Sequence, residues 1–154
     1  MAAGDTTVFV LTLLAALGSG LVGGVFLAFS DFVMKSLGRI APEAGVAAMQ
    51  EINIVVIRSW FLRAFFATAM LSVALIALAL ARWQFPDSIV LLLGGVLYLL
   101  GTFVVTIVCN VPRNNALARD GAKVWADYLV NWTRWNHVRT AASLAAAVLF
   151  SLAL

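Results

Sequence analysis

Charged residues are scarce in this sequence. Asp, Glu, Lys and Arg make up 11% of its 154 residues, and 64% of the residues are hydrophobic. Soluble domains contain about 25% charged residues on average, so an ordinary soluble fold is excluded. We predict an integral membrane protein whose main partner is the lipid bilayer. The net charge of +3 is spread between apolar runs and forms no basic block, so we expect no nucleic-acid partner.

Metal-binding and redox-active side chains are also scarce. Cys109 is the only cysteine and lies in an apolar run, so we predict a buried free thiol and no intrachain disulfide. His137 is the only histidine, which rules out bis-histidine haem ligation within one chain. Zinc and di-iron sites recruit several ligands at short spacings, whereas Asp31 and Glu51 would join His137 only through the fold. We therefore predict no metal, haem or other cofactor.

Long apolar runs predict the fold. A helix needs about 20 residues to cross a bilayer, and lipid permits only helices or closed barrels. The apolar runs predict four spans, at about residues 8–30, 60–81, 89–110 and 135–154. The short connection around Pro86 makes the second and third spans an antiparallel pair. We therefore predict one all-α domain over residues 1–154, an integral-membrane, up-and-down four-helix bundle with short interfacial helices in its two long connections.

The last predicted span contains polar residues at one end. The apolar run 141–154 is too short to cross a bilayer, and extending it to about 20 residues reaches Trp135. Asn136, His137 and Arg139 are then drawn to the edge of the hydrocarbon or inside it. Polar groups at that depth are costly and mark functional sites, so we predict the site here.

The basic residues predict the orientation. All lysines and arginines except Arg82 lie in or beside the two long connections. The positive-inside rule places these connections in the cytoplasm and both termini outside, and we expect a bacterial inner membrane. Residues 31–63 and 110–139 then face the same side and are able to form one cavity. Trp125 and Tyr128 are interpreted as interfacial aromatic residues.

The residues near this membrane face predict a metal-free pocket. Imidazole titrates near neutral pH, so His137 is a candidate base, and amide or guanidinium groups are able to hold an oxyanion. The candidate catalytic residues are His137, Asn136 and Arg139, and the candidate substrate-binding residues are Trp132, Trp135, Asn53, Asn110, Asn114, Asp31 and Met34. This set suits proton removal from a lipid-soluble aromatic compound. The alternative is a set of polar residues that only pin helix ends together.

Four segments carry a family resemblance. They are GVFLAFSDFVMKSL at 24–37, PEAGVAAMQEIN at 42–53, NVPRNNALA at 110–118 and WTRWNHVRTAASLAA at 132–146. In this order they resemble the anthrone oxygenase-like family of small four-span membrane proteins, and the likeness covers nearly the whole chain. The Asn-Val-Pro-x-Asn and Trp-Asn-His-x-Arg pieces are the most specific.

The resemblance implies a reaction. Characterised fungal members of the family oxidise anthrones to anthraquinones with molecular oxygen and no added cofactor. By this likeness, His137 would deprotonate the anthrone, Asn136 or Arg139 would stabilise the enolate, and Trp132 and Trp135 would flank the rings. We therefore expect a membrane-embedded protein that oxidises a hydrophobic aromatic or quinol-type compound. The alternative is a non-enzymatic membrane protein that binds a lipid, a quinone or a partner subunit. The sequence leaves homo-oligomer formation open.

Overall fold

The chain is helical almost throughout. A computed structural model describes residues 3–84 and 86–154, and no strand occurs in those two ranges. The α-helices are α1 (Ala3–Ala28), α2 (Met34–Leu37), α3 (Pro42–Val55), α4 (Trp60–Ala81), α5 (Ser88–Val96), α6 (Val111–Asp120) and α7 (Trp125–Leu152). Between them lie π-helical segments at Phe29–Val33, Leu97–Val104 and Thr106–Asn110, and 3-10 turns at Val56–Arg58 and Gly121–Val124. The predicted all-α class is confirmed.

Three helical stretches are long and apolar enough to cross a membrane. They are Thr6–Leu37, Trp60–Ala81 and Ser88–Leu152, and they support the prediction of a membrane protein. The first two contain the predicted spans at 8–30 and 60–81. The third contains both of the spans predicted at 89–110 and 135–154, because α5, α6 and α7 are joined only by π-helical and 3-10 turns.

The third stretch folds back on itself at Gly121. This residue has a φ of 56°, a backbone conformation that glycine adopts without steric cost. On the two sides of the turn, Gly101 lies against Ala142 and Gly94 lies against Phe150. Residues before and after Gly121 therefore pair in opposite directions along the two arms. The stretch is a helical hairpin, in which α5 and its π-helical continuation run antiparallel to α7.

The other long helices also pack as antiparallel neighbours. The rings of Phe26 on α1 and Phe61 on α4 have centroids 5.6 Å apart. Gly23 on α1 lies against Leu144 on α7. Together with the packing of α4 on α5, these contacts close a core that is built from small and aromatic side chains: Ala15, Ala16, Val22, Phe26, Phe65, Ala69, Leu75, Ala79, Leu91, Tyr98, Ala146 and Phe150.

A second core lies beyond one end of these helices. It joins α2, α3 and α6 to the start of α7 through Met34, Val46, Met49, Leu117, Trp125, Tyr128 and Trp132. The Gln50 side-chain amide donates a 2.9 Å hydrogen bond to the Leu117 carbonyl and ties α3 to α6. We call these packed elements the cap. The cap is made of the two long connections, so both of them contain short helices, as the sequence predicts.

We expect Gly101→Ala to destabilise the protein. A Cβ at Gly101 would collide with the Ala142 Cβ, and overpacking of this kind costs about 1–3 kcal/mol. The measurement is the midpoint of thermal unfolding in detergent. Gly24→Ala is the matched control, because Gly24 lies in an apolar helix and a Cβ there meets nothing within 4 Å. Equal unfolding midpoints for the two variants would contradict the close approach of the hairpin arms.

Candidate functional site

The guanidinium of Arg139 is buried near the point where the long helices meet the cap. The residue is 4% exposed. Its Nη2 donates a 2.5 Å hydrogen bond to Asn136 Oδ1, and its Nη1 lies 3.4 Å from the Thr106 hydroxyl. The rings of Phe26 and Trp132 lie 4.1 Å and 5.0 Å from the guanidinium carbon. Arg139 is therefore held by a neutral amide, a hydroxyl and two aromatic faces.

Arg139 has no anionic partner in the described part of the chain. Ion pairs there include Lys35 with Asp31 and Arg119 with Asp120, and neither involves Arg139. The Arg139 Nε–H is buried and has no hydrogen-bond acceptor. Taking a cation out of water costs several kcal/mol unless an opposite charge or good hydrogen bonds offset it. The two aromatic faces contribute about 2 kcal/mol when desolvated, so they offset only part of the cost of burying this charge.

Asn136 holds Arg139 in place. Its amide nitrogen donates to the Phe26 carbonyl at 2.6 Å and to the Ser30 hydroxyl at 2.7 Å. Its Oδ1 accepts the bond from Arg139. Both amide hydrogens are used, so Asn136 has none left to stabilise an oxyanion. The structure therefore gives Asn136 the geometry of a positioning residue, which links α1 to the Arg139 guanidinium.

The turn after Phe26 explains how a backbone carbonyl becomes available to Asn136. Residues Phe29–Val33 are π-helical, and the hydrogen-bond register changes there from i+4 to i+5. Such a change leaves a carbonyl near the junction without its usual amide partner. We infer that the Asn136 amide replaces that partner at Phe26. Ser30, inside the π-helical turn, is buried against Thr140 with their hydroxyl oxygens 3.4 Å apart.

Asn114 ties the aromatic residues of α7 to the cap. Its Oδ1 accepts hydrogen bonds from the Tyr128 hydroxyl and from the Trp132 indole, each at 2.8 Å. The Asn53 side chain on α3 lies close to the Tyr128 hydroxyl. The rings of Trp125, Tyr128 and Trp132 stack in sequence with centroids 5.8 Å apart. These contacts fix the Trp132 ring over Arg139 and close the cap side of the site.

Polar side chains also join the two arms of the helical hairpin. The Thr102 and Ser143 hydroxyl oxygens are 2.8 Å apart. The Asn110 amide nitrogen donates to the Trp132 carbonyl at 3.2 Å, whereas the buried Asn110 Oδ1 has no donor. The site region thus contains both an unpaired acceptor, on Asn110, and an unpaired donor, on Arg139.

The structure brings most of the sequence-predicted residues together. Asn53, Asn110, Asn114, Trp132, Asn136 and Arg139 share the network described above, and Met34 packs in the second core with Trp132. Three predicted residues lie outside it. Asp31 is exposed and pairs with Lys35 at 3.4 Å. Trp135 is half-buried and takes no part in the hydrogen bonds and ring contacts described above, and His137 is exposed.

The helical period explains the position of His137. Successive residues of an α-helix are about 100° apart around its axis. Asn136, Arg139, Thr140 and Ser143 occupy the buried face of α7, whereas His137 is turned out of it. The His137 ring has no hydrogen-bond partner in the part of the chain that the structure describes. Its position leaves the Arg139 network without an imidazole.

Sequence reasoning missed several members of the network. Serine and threonine are common in apolar helices, so Ser30, Thr106 and Thr140 were not singled out, although Ser30 and Thr140 lie within the resembling segments. Thr140 was still detectable, because it follows Asn136 by four residues and therefore shares its helix face. Tyr128, interpreted as an interfacial residue, is buried and hydrogen-bonded inside the cap. Phe26 gave no signal, because its roles depend on a distant helix.

The described side chains include no group of three or more His, Cys, Asp or Glu residues placed to share a metal ion. The nearest polar neighbours of Arg139 are amides and hydroxyls. Neutral oxygen donors without a carboxylate, thiolate or imidazole are a poor ligand set for transition metals. The chemistry of this network is therefore that of hydrogen bonding and charge stabilisation.

We expect Asn136→Leu to destabilise the protein by about 3 kcal/mol, because it leaves a buried cation without its partner. Combining it with Arg139→Met removes both members of the pair, so the double variant should lose at least ~1 kcal/mol less than the sum of the single losses. The measurement is reversible unfolding in detergent. Asn131→Leu is the control, since its hydrogen bond to Asp127 is exposed. Additive losses would contradict the coupling.

Comparison with known proteins identifies the family. The family model described as anthrone oxygenase matches residues 58–149. The matched range contains Asn110, Asn114, Trp132, Asn136 and Arg139, whereas the resembling segments at 24–37 and 42–53 lie outside it. Neither a curated protein nor a solved structure shows significant similarity. Since the match covers more than half of the sequence, the chain belongs to the anthrone oxygenase family.

Proposed function

We propose that this chain is a membrane-embedded oxygenase that converts a hydrophobic aromatic compound, of the anthrone or quinol type, into the corresponding quinone with O2. The observation that carries the proposal is the buried guanidinium of Arg139, which has aromatic rings on two sides and no carboxylate partner in the described chain. An ionised aromatic enol supplies both the missing negative charge and a flat ring surface. Membership of the anthrone oxygenase family supports the same class of ligand.

The membrane arrangement in this proposal has four crossings. The helical hairpin supplies two of them, since each arm beside Gly121 includes an apolar run, and α1 and α4 supply the others. The basic residues of the long connections support a cytoplasmic cap and external termini. Arg139 then lies at the cytoplasmic end of the hydrocarbon, in what we take to be a bacterial inner membrane. A polar group is expensive there and is retained for function.

With O2 as the sole oxidant, a quinol would lose two hydrogens and two electrons and O2 would become hydrogen peroxide, whereas the anthrone reaction is a four-electron change. An anthrone loses both hydrogens of its ring CH2 group, and that carbon gains a double bond to oxygen. One oxygen atom of O2 becomes the new carbonyl oxygen, and the other leaves as water with the two hydrogens. The substrate gives up four electrons and O2 accepts four. The proposal includes no metal or organic cofactor, because the ionised enol is electron-rich enough to transfer an electron to O2 directly.

The side chains of the site have different roles in this proposed reaction. Arg139 holds the enolate oxygen and lowers the free energy of the ionised substrate, as expected of a fixed charge in a site that excludes water. Asn136 fixes the guanidinium through its bond to Oδ1. The rings of Trp132 and Phe26 provide flat surfaces beside the guanidinium, against which the rings of the substrate would pack. The unpaired Oδ1 of Asn110 is available to accept a hydrogen bond from a hydroxyl on the substrate.

Arg139→Met tests the charge directly. We expect purified variant protein to bind anthrone about 100-fold more weakly than the wild type, equivalent to ~2.7 kcal/mol, and to lose oxygen consumption. Anthracene, a hydrocarbon of the same ring size that forms no enolate, is the control ligand, and its affinity should change less than threefold. Equal losses for both ligands would show collapse of the site. Unchanged anthrone affinity would contradict the role of Arg139.

His137→Gln distinguishes two routes for the substrate proton. If water accepts the proton, the exposed imidazole is dispensable, and turnover with anthrone stays within about threefold of the wild type. If His137 is the base, turnover falls by about 100-fold or more, as is common for loss of a general base. The exposure of His137 favours the first result. Oxygen uptake by the wild type and the variant, measured with anthrone at one fixed pH, distinguishes the two results.

A further inference from the structure

The cap closes the aqueous side of the Arg139 site. The Trp132 ring is the part of the cap that lies against Arg139, and it is stacked on Tyr128 at 5.8 Å and tilted against Phe29 at 5.8 Å. Its indole nitrogen is fixed by Asn114. Met34 and Met49 are buried behind it. A ligand arriving from the aqueous side would have to break this hydrogen-bonded stack.

The side toward the hydrocarbon has a different composition. Phe26, which lies on the Arg139 guanidinium, has its ring 5.6 Å from Phe61 and 6.4 Å from Phe65. Phe65 stacks on Phe103 at 5.4 Å, and Phe103 meets Phe66 edge-on at 5.6 Å. Phe66 is 50% exposed on the outer surface of α4. An unbroken series of phenylalanine rings thus leads from the outer surface to the buried cation. We call these five residues the phenylalanine cluster.

The chemistry of the phenylalanine cluster selects its occupant. Phenylalanine side chains have no hydrogen-bonding atoms, so a charged or strongly hydrated molecule loses its water without compensation on this path. A neutral fused-ring compound loses little, because it exchanges lipid contacts for edge-to-face and stacked ring contacts. Only at the inner end, beside Arg139, does the path offer stabilisation to a negative charge. An apolar path that ends at a buried cation suits a ligand that passes the phenylalanine cluster in its neutral form and ionises beside Arg139.

We propose that the aromatic ligand enters Arg139's site laterally from the bilayer, between α4 and the Leu97–Val104 segment, by displacing rings of the phenylalanine cluster. The inference rests on the proposed function, since it takes an ionisable aromatic compound as the ligand. The phenylalanine cluster acts as the entrance and excludes charged solutes. The cap remains closed during entry.

The test follows binding of anthrone to protein reconstituted in phosphatidylcholine vesicles. Stopped-flow absorbance records the formation of the ionised ligand, and a nitrogen atmosphere prevents its oxidation. Phe66→Trp narrows the outer end of the path at an exposed position that tolerates a larger ring. We expect it to lower the association and dissociation rate constants by the same factor, about tenfold, with the Kd unchanged. Phe66→Ala should raise both rate constants. Phe9→Trp, at an exposed phenylalanine far from the cluster, is the matched control and should change neither.

Each other outcome has a distinct meaning. If neither Phe66 substitution changes the rate constants, lateral entry is overturned. Faster association in Asn114→Ala would then indicate that the ligand enters through the cap. A changed Kd with an unchanged association rate would make Phe66 a binding contact and would also overturn the entrance. If the wild type does not bind anthrone, or binds it no more tightly than Arg139→Met does, the proposed function is refuted, and this inference with it.

Discussion

The polar interior depends on the burial of the Arg139 guanidinium, which has no counter-charge among the described residues. A cation away from water must be satisfied by dipoles, by aromatic faces or by an anion. In this chain Arg139 receives an amide oxygen from Asn136, a hydroxyl from Thr106 and rings from Phe26 and Trp132. Asn136, Thr106 and Trp132 are fixed in turn by further hydrogen bonds. The Phe26 ring is fixed by packing against Phe61 and Phe65. The helices are thereby held in one register around a single charge.

Irregular helix geometry is concentrated around the same charge. The π-helical segment Phe29–Val33 supplies Ser30 and adjoins the Phe26 carbonyl that Asn136 uses. The segment Thr106–Asn110 supplies the hydroxyl beside Arg139 and the Asn110 amide. Wide turns of this kind are rare and often occur at functional sites. Their placement here has a local reason, because each one presents polar groups toward α7.

The sequence was most informative where a physical quantity depends on local residues alone. The length of an apolar run predicts which helices are long enough to cross a bilayer, and the shortness of the last run predicts that Asn136 and Arg139 lie within such a helix. The sequence was less informative about which side chains lie on the buried face of a helix. His137 is one residue from Asn136 yet exposed, because the packing of α7 against two other helices decides which face is buried. Ser30 and Phe26 depend on a partner more than 100 positions away, and no local pattern reports that.

The bonds of Asn136 have a consequence for how this sequence is able to change over generations. Its three partners are a hydroxyl, a guanidinium and the main-chain carbonyl of Phe26. Substitution of Ser30 or Arg139 removes the hydroxyl or the guanidinium, but no substitution of Phe26 removes its backbone oxygen. Loss of asparagine at 136 therefore takes a donor from the Phe26 carbonyl, and no side-chain exchange at 26 eliminates that acceptor. Compensation has to come from a new donor on another helix or from a change in the backbone of the adjoining π-helical turn.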